Sequence, residues 1–146
     1  MNQPPPLFID QRKIDSDHLT LLSVFHFVAA GLSILGILFL FAHYSIFRTV
    51  ISNPQMWQNQ RQGPGPAEFV NIFSMLRWVY LVFGIWFLAS GVLNVISGIF
   101  IRARTHRMFS VVVSALNCVH IPFGTALGVF TIIVLMRDSV REVYIS

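Results

Sequence analysis

Three long runs without a formally charged side chain divide this chain. The first lies between His18 and Arg48, the second between Arg77 and Arg102, and the third runs from Met108 to Met136, bounded by Arg107 and Arg137. Each exceeds the roughly 20 apolar residues that a helix needs to cross a bilayer. The first follows Asp15-Ser16-Asp17, which supplies hydrogen-bond acceptors and negative charge for a helix amino end. The second opens on Trp78 and Tyr80, side chains that favour the headgroup boundary. These two runs predict transmembrane helices, TM1 over 18–47 and TM2 over 78–101.

The third run is harder to accommodate. Its 29 residues, taken as one helix, would extend about 43 Å at 1.5 Å per residue, well beyond a hydrocarbon core of roughly 30 Å. Pro122-Phe123-Gly124 interrupts it near the middle. Pro122 cannot donate a backbone hydrogen bond and disfavours helical geometry at Ile121, Gly124 permits a positive φ, and Thr125 offers an amino-cap for a new helix. The local chemistry therefore predicts helix 3 over 108–121, a turn at 122–124 and helix 4 over 125–140, followed by a short tail, 141–146. The alternative is a single Pro-kinked TM3.

Positive charge separates these two topologies. The joint 102–107, with Arg102, Arg104 and Arg107, is the densest basic cluster and is short, so it belongs on the cytoplasmic side. With a single third span, Arg137 and Arg141 lie outside, and Lys and Arg divide five against five. A hairpin brings both inside and the division becomes seven against three, which the positive-inside rule favours. Both termini are then cytoplasmic, with 1–17 as an internal tail and 48–77 as an external loop.

Composition fixes the class. Only 11% of the 146 residues are charged and 55% are hydrophobic, whereas a soluble domain carries about 25% charged residues to cover its surface. The expectation is an all-α integral membrane protein forming a single membrane domain. The net charge of +4 resides at the ends of apolar runs, a placement that fits topology and lipid headgroups rather than nucleic acid. The amino-terminal segment carries three prolines and mixed charge before any apolar run, unlike a cleavable signal peptide, so TM1 is expected to be retained. The lone Cys118 reads as a small buried side chain. In the 48–77 loop, Gly63-Pro64-Gly65-Pro66 excludes regular structure, the tail before Arg77 either lies along the interface or extends TM2, and Met56 and Trp57 offer a partner contact.

The string from His120 to Leu135, with Pro122, Gly124, Thr125, Leu127, Gly128 and Phe130, resembles a carboxy-terminal signature of the form Pro-x-Gly-Thr-x-Leu-Gly-x-aromatic. This signature occurs in small uncharacterised bacterial multi-pass membrane proteins. The preceding basic joint and the opening His18-Leu19 through Phe25-His26 resemble the same group. The resemblance implies a location in the bacterial inner membrane and covers the membrane segments, not the loop. It implies no activity.

Candidate chemistry is sparse. Gly84, Gly91 and Gly98 recur at seven-residue spacing on TM2, Ala29 and Gly36 share that spacing on TM1, and Gly124 and Gly128 form a small-xxx-small pair. Such faces let helix backbones approach closely in lipid, within one chain or between copies. Polar side chains at membrane depth are costly and mark either interhelical hydrogen bonding or a path. Ser110, Ser114, Asn117 and His120 share one helix face, and with His26 and Asn94 they form a candidate polar seam.

Haem between His26 and His120 is the one cofactor arrangement the residue types raise, and nothing else in the sequence supports it, so no cofactor is expected. No His, Cys or carboxylate set shows metal-ligand spacing. All six acidic residues lie outside the apolar runs, and no nucleophile-base pair or phosphate loop is present. The resulting expectation is a non-enzymatic accessory or scaffold subunit that self-associates or packs on a larger membrane complex. The alternative is a minimal channel or solute conduit lined by the polar face of helix 3.

Overall fold

The structure, a computed structural model, describes residues 11–53 and 66–144. Among them the order is α1 (Gln11–Ile51), α2 (Pro66–Ala103), α3 (Arg107–Asn117), α4 (Phe123–Leu135) and α5 (Asp138–Val143), with no strand. The all-helical reading and the two long apolar helices hold: Lys13–Ile51 and Ser74–Ala103 are both long and apolar enough to cross a membrane. Both helices exceed the expected spans. Pro66 opens α2, a position where its missing N–H costs nothing, so the tail of the 48–77 loop extends the second helix. Met56, Trp57 and Gly63 to Gly65 lie outside the described residues.

The chain divides into two compact units, Met1–Gly31 with Val92–Ser146, and Leu32–Gly91. In the second unit Gly36 lies against the Phe87 ring, and His43 Nδ1 meets the Tyr80 hydroxyl at 2.5 Å.

The first unit holds the joint and the third apolar run. Helix α2 ends with the Thr105 N–H donating to Phe100 O at 2.9 Å, a six-to-one bond that needs a left-handed residue at Arg104, where φ is 55°. His106 is left-handed too, at φ 47°. Two such residues without glycine cost on the order of 1 kcal/mol each, and they reverse the chain within three residues.

Helices α3 and α4 form an antiparallel hairpin. Thr125 Oγ1 donates to Cys118 O at 2.7 Å, Gly128 lies against the Ser114 carbonyl, and Arg107 Nη1 donates to Leu135 O at 3.0 Å. Moving back along α3 therefore moves forward along α4, as a hairpin requires and a kinked single helix forbids. At 11 and 13 residues the arms measure about 16 and 20 Å.

The hairpin differs in detail from its sequence prediction. Helix α3 stops at Asn117 rather than 121, the turn occupies 118–122 rather than 122–124, and α4 runs from Phe123 to Leu135 rather than from 125 to 140. Proline acts upstream of itself: without its N–H and with the preceding residue driven from helical geometry, the helix ends a turn early. Gly124 does not take a positive φ; no described glycine does. Its role is steric, because a Cβ there would collide with Asn117 O and stand 2.5 Å from His120 Cβ. Thr125 is not the amino-cap. Pro122 occupies that position without a side-chain bond, and Thr125 closes the turn through Cys118. At Met136 and Arg137 the backbone breaks again, separating α5 with Asp138 in its first turn and Arg141 in its last, both favourable to the helix dipole.

Burial is inverted relative to a water-soluble bundle. A small cluster of Leu19, Leu22, Ile101, Val134, Leu135 and Val140 forms the apolar core. Fully buried beside it are Asp15, Ser23, His26, Ser97, Ser110, Ser114 and Thr131, with Asn94 and Asn117 nearly so. Large apolar side chains face outward instead, among them Phe41, Phe123 and Ile121, which is 83% exposed.

Candidate functional site

Three hydrogen bonds set the register of α1 against α2 in the first unit. Arg104 Nη2 donates to Ser16 Oγ at 2.8 Å, Ser23 Oγ donates to Gly98 O at 2.9 Å, and His26 Nδ1 meets Asn94 Oδ1 at 2.9 Å. The partners advance on α1 and retreat on α2, so these stretches are antiparallel. Small residues permit the approach: a Cβ on Gly98 would stand 3.0 Å from the Phe27 ring.

At the third of these contacts the polar residues converge. Asn94 and Asn117 exchange two bonds, Asn94 Nδ2 to Asn117 Oδ1 at 3.0 Å and Asn117 Nδ2 to Asn94 Oδ1 at 2.7 Å. As these amides are oriented, Asn94 Oδ1 is an acceptor, so His26 carries its proton on Nδ1 and donates it. One imidazole and two amides thus tie α1, α2 and α3 together. His26 is 11 residues from Asp15, and Asn117 is ten from Arg107, so at 1.5 Å per residue the ladder sits about 15 Å from the basic end of the unit.

The remaining seam residues are mostly satisfied locally. Ser114 Oγ donates to Ser110 O at 2.7 Å and Thr131 Oγ1 to Leu127 O at 2.7 Å, the back-bonding usual for hydroxyls inside helices. His26 Nε2, Ser97 Oγ and Ser110 Oγ are buried without a hydrogen-bond partner among the described residues. His120 is half-buried, and its backbone carries the turn: its N–H donates to Asn117 O at 2.9 Å, and its carbonyl accepts from Gly124 N at 2.7 Å. Among the described residues no three His, Cys, Asp or Glu side chains converge as a metal site requires.

The predicted packing positions divide. Gly36, Gly98, Gly124 and Gly128 each meet a neighbour, and a Cβ on Gly128 would collide with Ser114 O and stand 2.6 Å from Cys118 Sγ. Ala29 and Gly91 are half-buried. Gly84 differs from them: among the described residues nothing lies within 4 Å of where its Cβ would be. Repetition at seven residues marks a helix face but does not say whether a neighbouring helix occupies it.

At the end of the unit opposite the hairpin turn, three segments meet. Arg137 Nη1 lies 3.6 Å from Asp15 Oδ1 and 3.5 Å from His18 Nδ1, while Arg104 holds Ser16 and Arg107 holds Leu135. Arg102 and Arg141 are exposed beside them. The side chain of Tyr144 packs onto the apolar core here. Burial pushes its phenol up to about 12, against the opposing pull of the Arg104 and Arg107 guanidinium groups.

Spacing sets Ser97 close to the glycine face of the second helix, and the structure buries it. Sequence reasoning missed Ser23 and Thr131 as interior polar residues, and the Asp15–Arg137 contact. Ser23 carried a signal, since it is three residues before His26, on the face that His26 buries. Asp15 and Arg137 are too distant in sequence to be paired by spacing.

Fold and site together define an all-helical chain with two helices of membrane-spanning length and a polar ladder inside one unit. Comparison with protein-family models, with curated proteins and with solved structures finds no match.

Proposed function

We propose that this chain is an integral membrane protein of the bacterial inner membrane, non-enzymatic, acting as an accessory or scaffold subunit that self-associates or packs on a larger membrane complex. The observation that carries this reading is the Asn94–Asn117 pair. Both amides spend their hydrogen bonds on each other and on His26, while apolar side chains cover the exterior. A polar group in hydrocarbon must be satisfied internally, so the ladder reads as interhelical adhesive, and the outward surface is left for lipid and partners.

In the proposed orientation the basic end is cytoplasmic. Asp15 and Ser16 at the start of α1, the 102–107 joint and Arg137 meet there, which supports the seven-against-three division of positive charge and, with it, the reading of both termini as cytoplasmic. The hairpin arms are shorter than a full span, so the 118–122 turn lies at membrane depth. Within it Cys118 O accepts from Thr125 Oγ1, Val119 O from Ile121 N, His120 O from Gly124 N and Pro122 O from Ala126 N, as a turn away from water needs. The Pro-x-Gly-Thr-x-Leu-Gly-x-aromatic positions coincide with this device, so the proposed family mark reads as a folding element.

Two measurements test the reading. Thr105→Cys and Glu142→Cys, in a Cys118→Ser background, should be labelled by an impermeant thiol reagent from the same, cytoplasmic side. Labelling of Glu142→Cys from the periplasm would sink the orientation. Photo-crosslinkers placed at Ile121 and Phe123 in native membranes should give a homo-oligomer or one reproducible neighbour, and monomer alone would remove the scaffold role.

A solute conduit along α3 is the second reading, and the buried Ser97 Oγ, Ser110 Oγ and His26 Nε2, without a partner among the described residues, favour it. It requires flux in proteoliposomes that Asn117→Leu reduces.

A further inference from the structure

We infer that the basic end of the first unit holds a binding site for the phosphate diester of an acidic phospholipid, formed by Arg104, Arg107 and the Tyr144 hydroxyl. The inference rests on the membrane reading above and adds a ligand to it. Tyr144 packs against the apolar cluster that includes Ile101, three residues before Arg104, and Leu135, whose carbonyl Arg107 holds, and its hydroxyl is closed off from solvent with no hydrogen-bond partner among the described residues. A buried hydroxyl left in that state is unfavourable, so this end of the unit holds a donor without a partner among the described residues, beside the basic joint. An anionic oxygen accepts from all three groups. With a side-chain adjustment around the ring, a phosphate takes the phenolic O–H bond and the charge of both arginines.

The surroundings match a lipid. Arg104 and His106, at the joint, are the left-handed non-glycine residues among the described ones, a cost of the kind that accumulates where geometry serves a site. Arg104 and Arg107 are each anchored by one bond, to Ser16 Oγ and to Leu135 O, which positions the groups while leaving other N–H donors of each guanidinium open. Met108 and Met136, each next in sequence to a basic residue of this end, are about two-thirds exposed. Acyl chains descending from a headgroup held at the arginines would lie along such side chains. Free phosphate would use the guanidinium groups but gain nothing from the methionines.

Native mass spectrometry of the full-length protein released from nanodiscs tests the site. Discs of phosphatidylcholine with phosphatidylglycerol are the lipid arm, and inorganic phosphate added to protein in a neutral detergent is the other. One arginine near an anionic surface contributes about fivefold in affinity, so wild type should retain phosphatidylglycerol over phosphatidylcholine by about fivefold or more. Arg107→Gln and Tyr144→Phe should each reduce the preference severalfold, and Arg48→Gln should leave it unchanged. Tyr144→Phe removes one oxygen, so it remains informative if Arg107→Gln fails to fold. Retention that is equal for both lipids, or that Tyr144→Phe leaves intact, overturns the site. Phosphate adducts in detergent that vanish in the same variants overturn the lipid as its ligand. Resistance of the protein to alkaline extraction from membranes is scored separately, so failure of the membrane reading is distinguishable from failure of the site.

Discussion

Asn94 and Asn117 face each other across α2 and α3 as a reciprocal amide pair, with His26 donating into it from α1. Neither asparagine has an equivalent substitute, because only a carboxamide of this length offers a donor and an acceptor on one plane.

Removing either amide should therefore cost about as much as removing both. Asn94→Leu and Asn117→Leu are each expected to lower stability by about 1 kcal/mol, within the range measured for interhelical hydrogen bonds in membranes. The double substitution should cost little more, because each single change already leaves the partner unpaired. Unfolding in mixed micelles by added sodium dodecyl sulfate gives the cycle, and additive losses would show that the pair is not energetically coupled.

The glycines should separate by what surrounds them. Gly124→Ala and Gly128→Ala place a methyl group on backbone oxygens that cannot move aside as a side-chain tip would, so each is expected to cost about 1–3 kcal/mol. Gly84→Ala meets open space and should be neutral or raise helix stability by up to about 1 kcal/mol. Gly98→Ala, whose nearest neighbours are atoms of the movable Phe27 ring, should fall between. Thermal denaturation followed by circular dichroism ranks all four, and equal losses at Gly84 and Gly128 would refute the steric account.

Tyr144 makes stability fall at high pH. Its phenol is raised from 10.0 to about 12 by burial. Above pH 10 the unfolded chain releases this proton while the folded chain keeps it, so the unfolded state binds fewer protons and is favoured as pH rises. The contribution is fully present below pH 10 and is lost progressively to about pH 12. A wild-type minus Tyr144→Phe difference in absorbance near 295 nm should show the delayed titration. The Phe variant should lose the part of the pH 10 to 12 decline in stability that belongs to this group.

Much of the hairpin was legible in the sequence. An apolar run too long to cross once, a proline at its centre and arginines at both ends together exclude a straight span, and each is a local or additive property. The turn's position was less legible. Proline's influence reaches upstream to Asn117, and the bonds that finish the turn, from Thr125 to Cys118 and from Gly124 to His120, depend on how two helices close on each other. The seam was recognised as a helix face from spacing alone, but spacing does not distinguish a face that lines a path from one that bonds to a neighbour.

By itself the sequence determined the all-helical class and the two long apolar helices, and it favoured a fold-back in the third run over a kinked single span, because chain length, apolar periodicity and proline chemistry act along the chain. Tertiary structure decided the pairings: Asn94 with Asn117, Arg137 with Asp15, Gly128 against Ser114, and Gly84 against nothing among the described residues. Those depend on the relative register of helices, which is fixed where small residues and complementary polar groups from distant segments coincide. No local property of any one segment contains that information.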